Sequence, residues 1–369
     1  MKSRFRYQSI FMYSTLQFAG HVEEYFAKYT RKLVVYVMMP RLKNRANLLR
    51  RYREGRLIEE KKVWSSGNLF LYYLSWYLHY LYFICKYFPP NEAFIVISGH
   101  PIAFLGMTVQ KLLRRLTFAY WIGDFYPPVK WSLFLFEKIK KFYHDRVPFT
   151  YYLSDKINQK MNGKVLTQPH HRTVMWGVKR LKINKVPLKD KFNILFIGLV
   201  KEDQGLELLF SFLARHKEYS LKIIGICPDG LYQKYLAIIK KREIDEQVFF
   251  PNKFYSDTEL ENLAKTCHVG VAMYDTSPLS ATFYTDPGKV KAYAELGLPV
   301  VMSETSAAAF YIRRFGCGEV INNDEKKLEE ALLKIRRNYP RYLSGLENFR
   351  KYFYFETYYQ RAFKALEKV

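Results

Sequence analysis

Short apolar runs recur along this chain, and between them lie stretches whose apolar residues return every three or four positions. The first kind reads as buried strand, the second as helix with one covered face. The second half shows the alternation most plainly. Phe192–Gly205, FNILFIGLVKEDQG, is a buried strand, a glycine turn and a second glycine that opens a helix over Leu206–Leu213. A strand at Leu221–Gly225, a helix at Gly230–Lys241 and a strand at Val248–Phe250 follow. Then come a helix at Asp257–Lys265, a strand at Val269–Met273 and the irregular loop Tyr274–Thr285. The turn Asp286-Pro287-Gly288 leads into a helix, Lys289–Leu296, and the strand Pro299-Val300-Val301. Gly297 suits the left-handed residue that ends a helix, and Pro299 cannot prolong one. Strands alternating with helices build a parallel sheet, which takes its ligands at the carboxyl ends of the strands.

The first half repeats the alternation with more aromatic residues. Strands are expected at Ser9–Ser14, Leu33–Met39, Ala93–Ser98, Phe118–Gly123, Phe149–Ser154 and Val165–Pro169. Helices are expected at Val22–Tyr29, Leu69–Phe88 and Trp131–Asp145, with another running from the Gly99–Pro101 loop through Arg115. Arg41–Lys62 reads as a polar, basic connection. A length of 369 residues exceeds one ordinary core and suggests two domains. The expected division is an N-terminal domain over 1–171, a basic linker over 172–190 and a C-terminal domain over 191–350. An amphipathic helix within 351–369 is expected to return to the N-terminal domain.

Charge changes this picture more than composition does. The net charge is +25, and residues 1–190 carry 33 Lys and Arg against 11 Asp and Glu, or +22 of it. A field of one sign on one half steers that half toward an anionic partner. Three basic sets stand out, Arg41–Lys62, then Lys111 with Arg114 and Arg115, then Lys138, Lys140, Lys141 and Arg146. Interleaved with Tyr, Phe and Trp, they form the pattern of a peripheral membrane surface that meets anionic headgroups, and Arg50, Arg51 and Arg53 are expected to face the acceptor or the membrane. The run Leu69–Cys85 has seventeen residues with five Tyr and a His, short and polar for a span that needs about 20 apolar residues. It reads as a helix on the sheet or in a membrane interface. Met1–Phe18 lacks the apolar segment of a secretory signal, so a cytoplasmic protein, peripheral on the inner membrane face, is expected. Four scattered cysteines show neither disulfide nor metal spacing, and no cofactor or metal is expected. A nucleic-acid partner suits the charge, yet no zinc-finger, recognition-helix or RNP motif accompanies it.

The order of parts in Thr285–Val301, TDPGKVKAYAELGLPVV, resembles the donor segment of GT-B glycosyltransferases, the retaining group-1 (family four) enzymes. Phe192–Gly205 resembles that family's first donor loop, and the likeness is firm over Phe192–Asn322. It implies an α/β chain of the GT-B kind, two Rossmann-like parallel-sheet domains facing a cleft. The implied activity moves a sugar from a nucleotide-sugar donor to an acceptor, often lipid-linked. Helix N-termini bind anions generally, through free N–H groups and the macrodipole.

Lys289, with Gly288, is the leading residue for the donor diphosphate. Gly198 and Gly205 allow close backbone approach, and Gly20 matches the family's glycine-rich entry beside the phosphate. The chain also departs from the family. Its Arg after the first glycine is Leu199 here, and its Lys before the second is Gln204, leaving Lys201 to reach the phosphates. The family's two glutamates fall on Tyr284 and Ala292, so Asp286 is left as the donor loop's carboxylate. His100 and Asp124 each follow a buried strand and are expected at the reacting sugar, with Tyr126 stacking on sugar or lipid. An alternative reading is a GT-B module that has lost catalysis with those glutamates and acts within a complex.

Overall fold

The computed structural model describes residues 5–14, 20–38, 46–181 and 191–369. Two compact units divide the chain, Met1–Gly177 with Phe355–Val369, and Val178–Tyr354.

The first unit is built on a nine-stranded sheet. Its strands are β1 Tyr7–Ser14, β2 Thr30–Val37, β3 Asn47–Arg53, β4 Arg56–Val63, β5 Phe94–Ser98, β6 Leu116–Ile122, β7 Phe149–Tyr152, β8 Thr167–Gln168 and β9 His171–Thr173. They lie in the order β4-β3-β2-β1-β5-β6-β7-β9-β8. The run from β2 to β9 is parallel, and β3, β4 and β8 add antiparallel edges. Central strands such as β5 and β6 are apolar at all but one position each, because helices cover both sheet faces. Successive β6 side chains face opposite ways: Tyr120 packs on Phe104 and Trp121 on Phe363. Helix α1 is Val22–Tyr29, α2 is Leu69–Tyr87, α3 is Met107–Leu113 and α4 is Trp131–His144. Asn68 caps α2 by accepting from the amides of Phe70 and Leu71, and Trp76 and Tyr80 lay its inner face on Tyr13 and Phe11.

The stretch read as a basic connection is, from Asn47 onward, the hairpin β3–β4. Glu54 and Gly55 make its turn with φ of 50° and 85°, the positive values that two-residue hairpins favour. Register sets Arg50 opposite Glu60 and Arg51 opposite Glu59, and both pairs close at 2.6 Å. Opposite charges facing across strands stabilise a sheet, which a run of mixed charge conceals when read linearly. Arg41–Arg45 lie outside the described residues.

Where a linker over 172–190 was expected, the chain continues the first unit as far as Gly177: His171–Thr173 is β9, and Val174 and Met175 are buried. Residues 182–190 lie outside the described ones. The expected C-terminal helix is broken at Phe353–Tyr354, after which Phe355–Ala362 packs in the first unit.

The second unit is a six-stranded, wholly parallel sheet. Its strands are β10 Phe192–Ile197, β11 Tyr219–Ile224, β12 Val248–Phe249, β13 Val269–Ala272, β14 Val300–Ser303 and β15 Gly318–Ile321. The order β12-β11-β10-β13-β14-β15 is that of a doubly wound sheet, whose strand order reverses between β10 and β13 and opens a crevice there.

Candidate active site

In the second unit, the crevice at the carboxyl ends of β10 and β11 is governed by the helix Gly288–Glu295. Its position is fixed by Tyr293, whose hydroxyl donates to Val271 O at 2.8 Å and accepts from Ile197 N at 3.1 Å. A side chain at Gly270 would collide with the Tyr293 ring, so glycine there lets the helix sit close on β13. The N-terminus of the helix therefore opens at the strand ends, and a cavity of about 300 Å³ lies against it. Gly198, Gly225, Tyr255, Gly288, Lys289 and Ala292 are among its walls. A Cβ on Gly225 would strike Gly198 O, so two strand-end glycines together form the floor.

Lys289 folds back over this floor. Its Nζ stands 3.9 Å from the Phe196 ring centroid and 5.4 Å from that of Tyr274, and it has no hydrogen-bond partner among the described residues. Burial first, then the charge of Lys201, brings the amine down to about 7. An enclosed amine without a partner at a helix N-terminus is a place for an anion.

Of the residues expected at the donor, Gly198, Gly288 and Lys289 meet at this cavity. Ala292, which stands where the resemblance puts a glutamate, lines it as well. Lys201 is exposed nearby. Gly205 opens the helix Leu206–Arg215 at a φ of 70°, and a Cβ there would lie 2.7 Å from Met273 Cβ, so the position calls for glycine on both counts. Gln204 is buried, and its Oε1 has no partner among the described residues. Tyr284 is half-buried after the short turn Ala281–Phe283 and is not among the cavity's walls. Asp286 departs from expectation. It is buried with its carboxylate 3.6 Å from Lys291 Nζ, itself buried over the Phe353 ring. Two buried opposite charges compensate each other, so Asp286 serves the fold behind the helix and does not line the cavity. Glu295 accepts from Lys179 N. Phe254, Tyr255 and Gly225 were missed, and only Gly225, closing a buried strand, left a trace in the sequence.

In the first unit, His100 and Asp124 follow β5 and β6 at their carboxyl ends, as expected. His100 Nδ1 accepts from Ile102 N at 3.2 Å, so the neutral ring carries its proton on Nε2. Rings of Trp76, Phe136 and Tyr73 surround it at 4.7, 5.5 and 6.1 Å. Burial, with the charge of Lys140, lowers its pKa to about 3. Asp124 is exposed and accepts from the Tyr126 hydroxyl at 3.3 Å.

Two neighbours were not foreseen as site residues. Lys140, read as part of a basic surface, is 2% exposed and donates to Asp124 O at 2.7 Å and Glu137 Oε1 at 2.5 Å. Glu137 Oε1 also accepts from Tyr126 N, while its buried Oε2 has no partner among the described residues. Their three-residue spacing on α4 was the available signal. Gly20 is also corrected: a Cβ there would lie 2.8 Å from Gly177 N, and its carbonyl accepts from Tyr359. The close approach it permits is to the chain's own residues. Arg50, expected at a membrane surface, bonds Glu23 as well as Glu60 and is 15% exposed. Arg51 is held by Glu59, and of the three Arg53 alone is exposed.

No family profile matches this chain, and no curated protein matches it by sequence. Solved structures match it by shape. Sucrose-phosphate synthase from Thermosynechococcus elongatus superposes with a TM-score of 0.72 at 13% identity, covering 98% of this chain and 99% of that one. HepE of Anabaena, in complex with UDP, gives 0.68 at 12%, covering 98% and 100%. WaaG, a glycosyltransferase involved in lipopolysaccharide biosynthesis, gives 0.59 at 16%, covering 98% and 99%. The fold of this chain is GT-B, with two Rossmann-like parallel-sheet domains.

Proposed function

We propose that this chain is a glycosyltransferase that takes a sugar from a nucleoside-diphosphate donor. The acceptor is a lipid-linked saccharide of surface glycan assembly, reached at the inner face of the cell membrane. The observation that carries this reading is the crevice where an enclosed, unpaired Lys289 amine meets the N-terminus of Gly288–Glu295. A diphosphate leaving group supplies the negative charge both lack, and no metal is assigned to the site. Retention at the anomeric carbon is implied by the resemblance. In the first unit, His100 is neutral and presents Nε2–H as a donor to sugar hydroxyls, and Asp124 offers an exposed carboxylate. Stabilising charge that develops on the departing phosphate is where such a site lowers the barrier.

Ala292 favours a second reading, a binding module that holds a nucleotide without turnover, because the cavity wall carries no carboxylate there. A panel of nucleotide-sugars incubated with the protein separates the two. Release of nucleoside diphosphate from at least one donor is expected. Saturable binding with no release from any donor, with or without lipid-linked acceptors, would establish the module instead.

A further inference from the structure

Helices α2, α3 and α4 share one side of the first unit. Tyr80 of α2 donates to Gln110 of α3 at 2.7 Å, and Phe104 joins Tyr143 of α4 at 5.8 Å between centroids. Their inner faces cover the sheet, but their outer faces are not polar. Along α2, Leu71, Leu74 and Leu78 are exposed at helical spacing, and none of its nineteen residues is acidic. Leu112 of α3 is 84% exposed, and Trp131, opening α4, is 75% exposed. A solvated helix face is ordinarily polar, and large exposed apolar patches mark interaction sites.

The charges beside this patch are mostly of one sign, Asp124 at the start of the loop before α4 being an exposed exception. Lys86, Lys111, Arg115, Lys130, Lys138 and Arg146 are exposed on or next to the three helices. Glu137, the one carboxylate within them, turns inward to Lys140, and Asp145 just beyond is held by Lys141. Among the described residues, no helix is long and apolar enough to cross a membrane.

We propose that this three-helix face seats the protein on an anionic lipid bilayer, its leucines and Trp131 entering the headgroup boundary and its cations meeting lipid phosphates. The inference rests on the reading that the acceptor is lipid-linked, and it moves the membrane contact from the β3–β4 hairpin to α2–α4. Charge complementarity selects the occupant, because apolar protrusions beside unopposed cations match acyl chains beneath phosphates. The same helices supply Trp76, Tyr73 and Phe136 around His100, so a seated face holds a lipid-borne sugar near that ring.

The test is sedimentation with phosphatidylcholine vesicles, with and without phosphatidylglycerol. The wild type should bind the anionic vesicles and lose them in high salt. The double variant Leu74→Glu/Leu78→Glu alters exposed positions, so its melting temperature and UDP affinity should hold while vesicle partitioning falls about tenfold or more. Arg53→Glu on the hairpin should bind vesicles as the wild type does. Wild-type partitioning by the double variant, equal binding to neutral vesicles, or no vesicle binding at all would overturn the proposal. So would a wild-type dimer that the double variant dissociates without changing vesicle binding, which makes the face a protein interface. Failure of the wild type to bind UDP with vesicle binding intact would sink the donor reading and leave this one standing.

Discussion

At the scale of single residues, the account turns on Lys289. Burial and Lys201 both disfavour its charge and bring it to about 7, and the negative charge of a bound diphosphate outweighs both. Donor binding should therefore draw a proton onto the protein near neutrality, and affinity should fall as pH rises past about 7. Calorimetry in buffers of different ionisation enthalpy checks this, and absence of proton uptake would remove Lys289 from the phosphate. Lys289→Ala should weaken UDP binding by about 1.5–3 kcal/mol, the range of a charge-assisted hydrogen bond. In the free protein the sign is opposite. A depressed lysine costs stability in full below about 7, and the cost vanishes as pH rises to its ordinary value of 10.5. Lys289→Met should accordingly stabilise the empty protein near pH 7, with a margin that narrows toward pH 10. His100 titrates far lower, at about 3. His100→Ala should reduce turnover more than donor affinity, while the wild-type rate shows no inflection from this residue between about pH 5 and 8.

At the scale of elements, the hairpin β3–β4 is the instructive case. Its sequence was legible as charged but not as strand, since the alternation emerges only when Arg50 and Arg51 find Glu60 and Glu59 across the ladder. Arg50 also reaches Glu23 on α1 at 3.1 Å, tying hairpin to helix. Arg50→Ala leaves two carboxylates short of a partner and should cost about 1–3 kcal/mol in chemical denaturation. Arg53→Ala, exposed at the strand end, should change stability by less than about 0.5 kcal/mol. Equal effects would mean that the ion pairs contribute nothing to the fold. The helix Gly288–Glu295 shows the reverse. Its start and stop were plain from Pro287, Gly288 and Gly297, because those residues act through local backbone geometry that needs no partner.

At the scale of the whole molecule, the parallel order of the second sheet was readable from the alternation of apolar runs and helices, since buried strands must be apolar on both faces. That Gly198, Gly288 and Lys289 belong near one another was readable for the same local reasons, and they do line one cavity. What escaped the sequence depends on which way a side chain turns and how deeply it is buried. Asp286 looks like a free loop carboxylate until Lys291 is found buried beside it. Lys140 looks like surface charge until its helix turns it toward Asp124. The basic excess of the first half, likewise, is spent partly on internal pairs in the hairpin, and its unopposed part gathers around α2–α4. Titration of the wild type and Lys289→Ala with UDP and ADP at about pH 7 tests the central claim most directly. The account predicts saturable binding of at least one of them by the wild type, taking up a proton, and much weaker binding by the variant. Wild type and variant binding equally, or neither nucleotide binding at all, would contradict it.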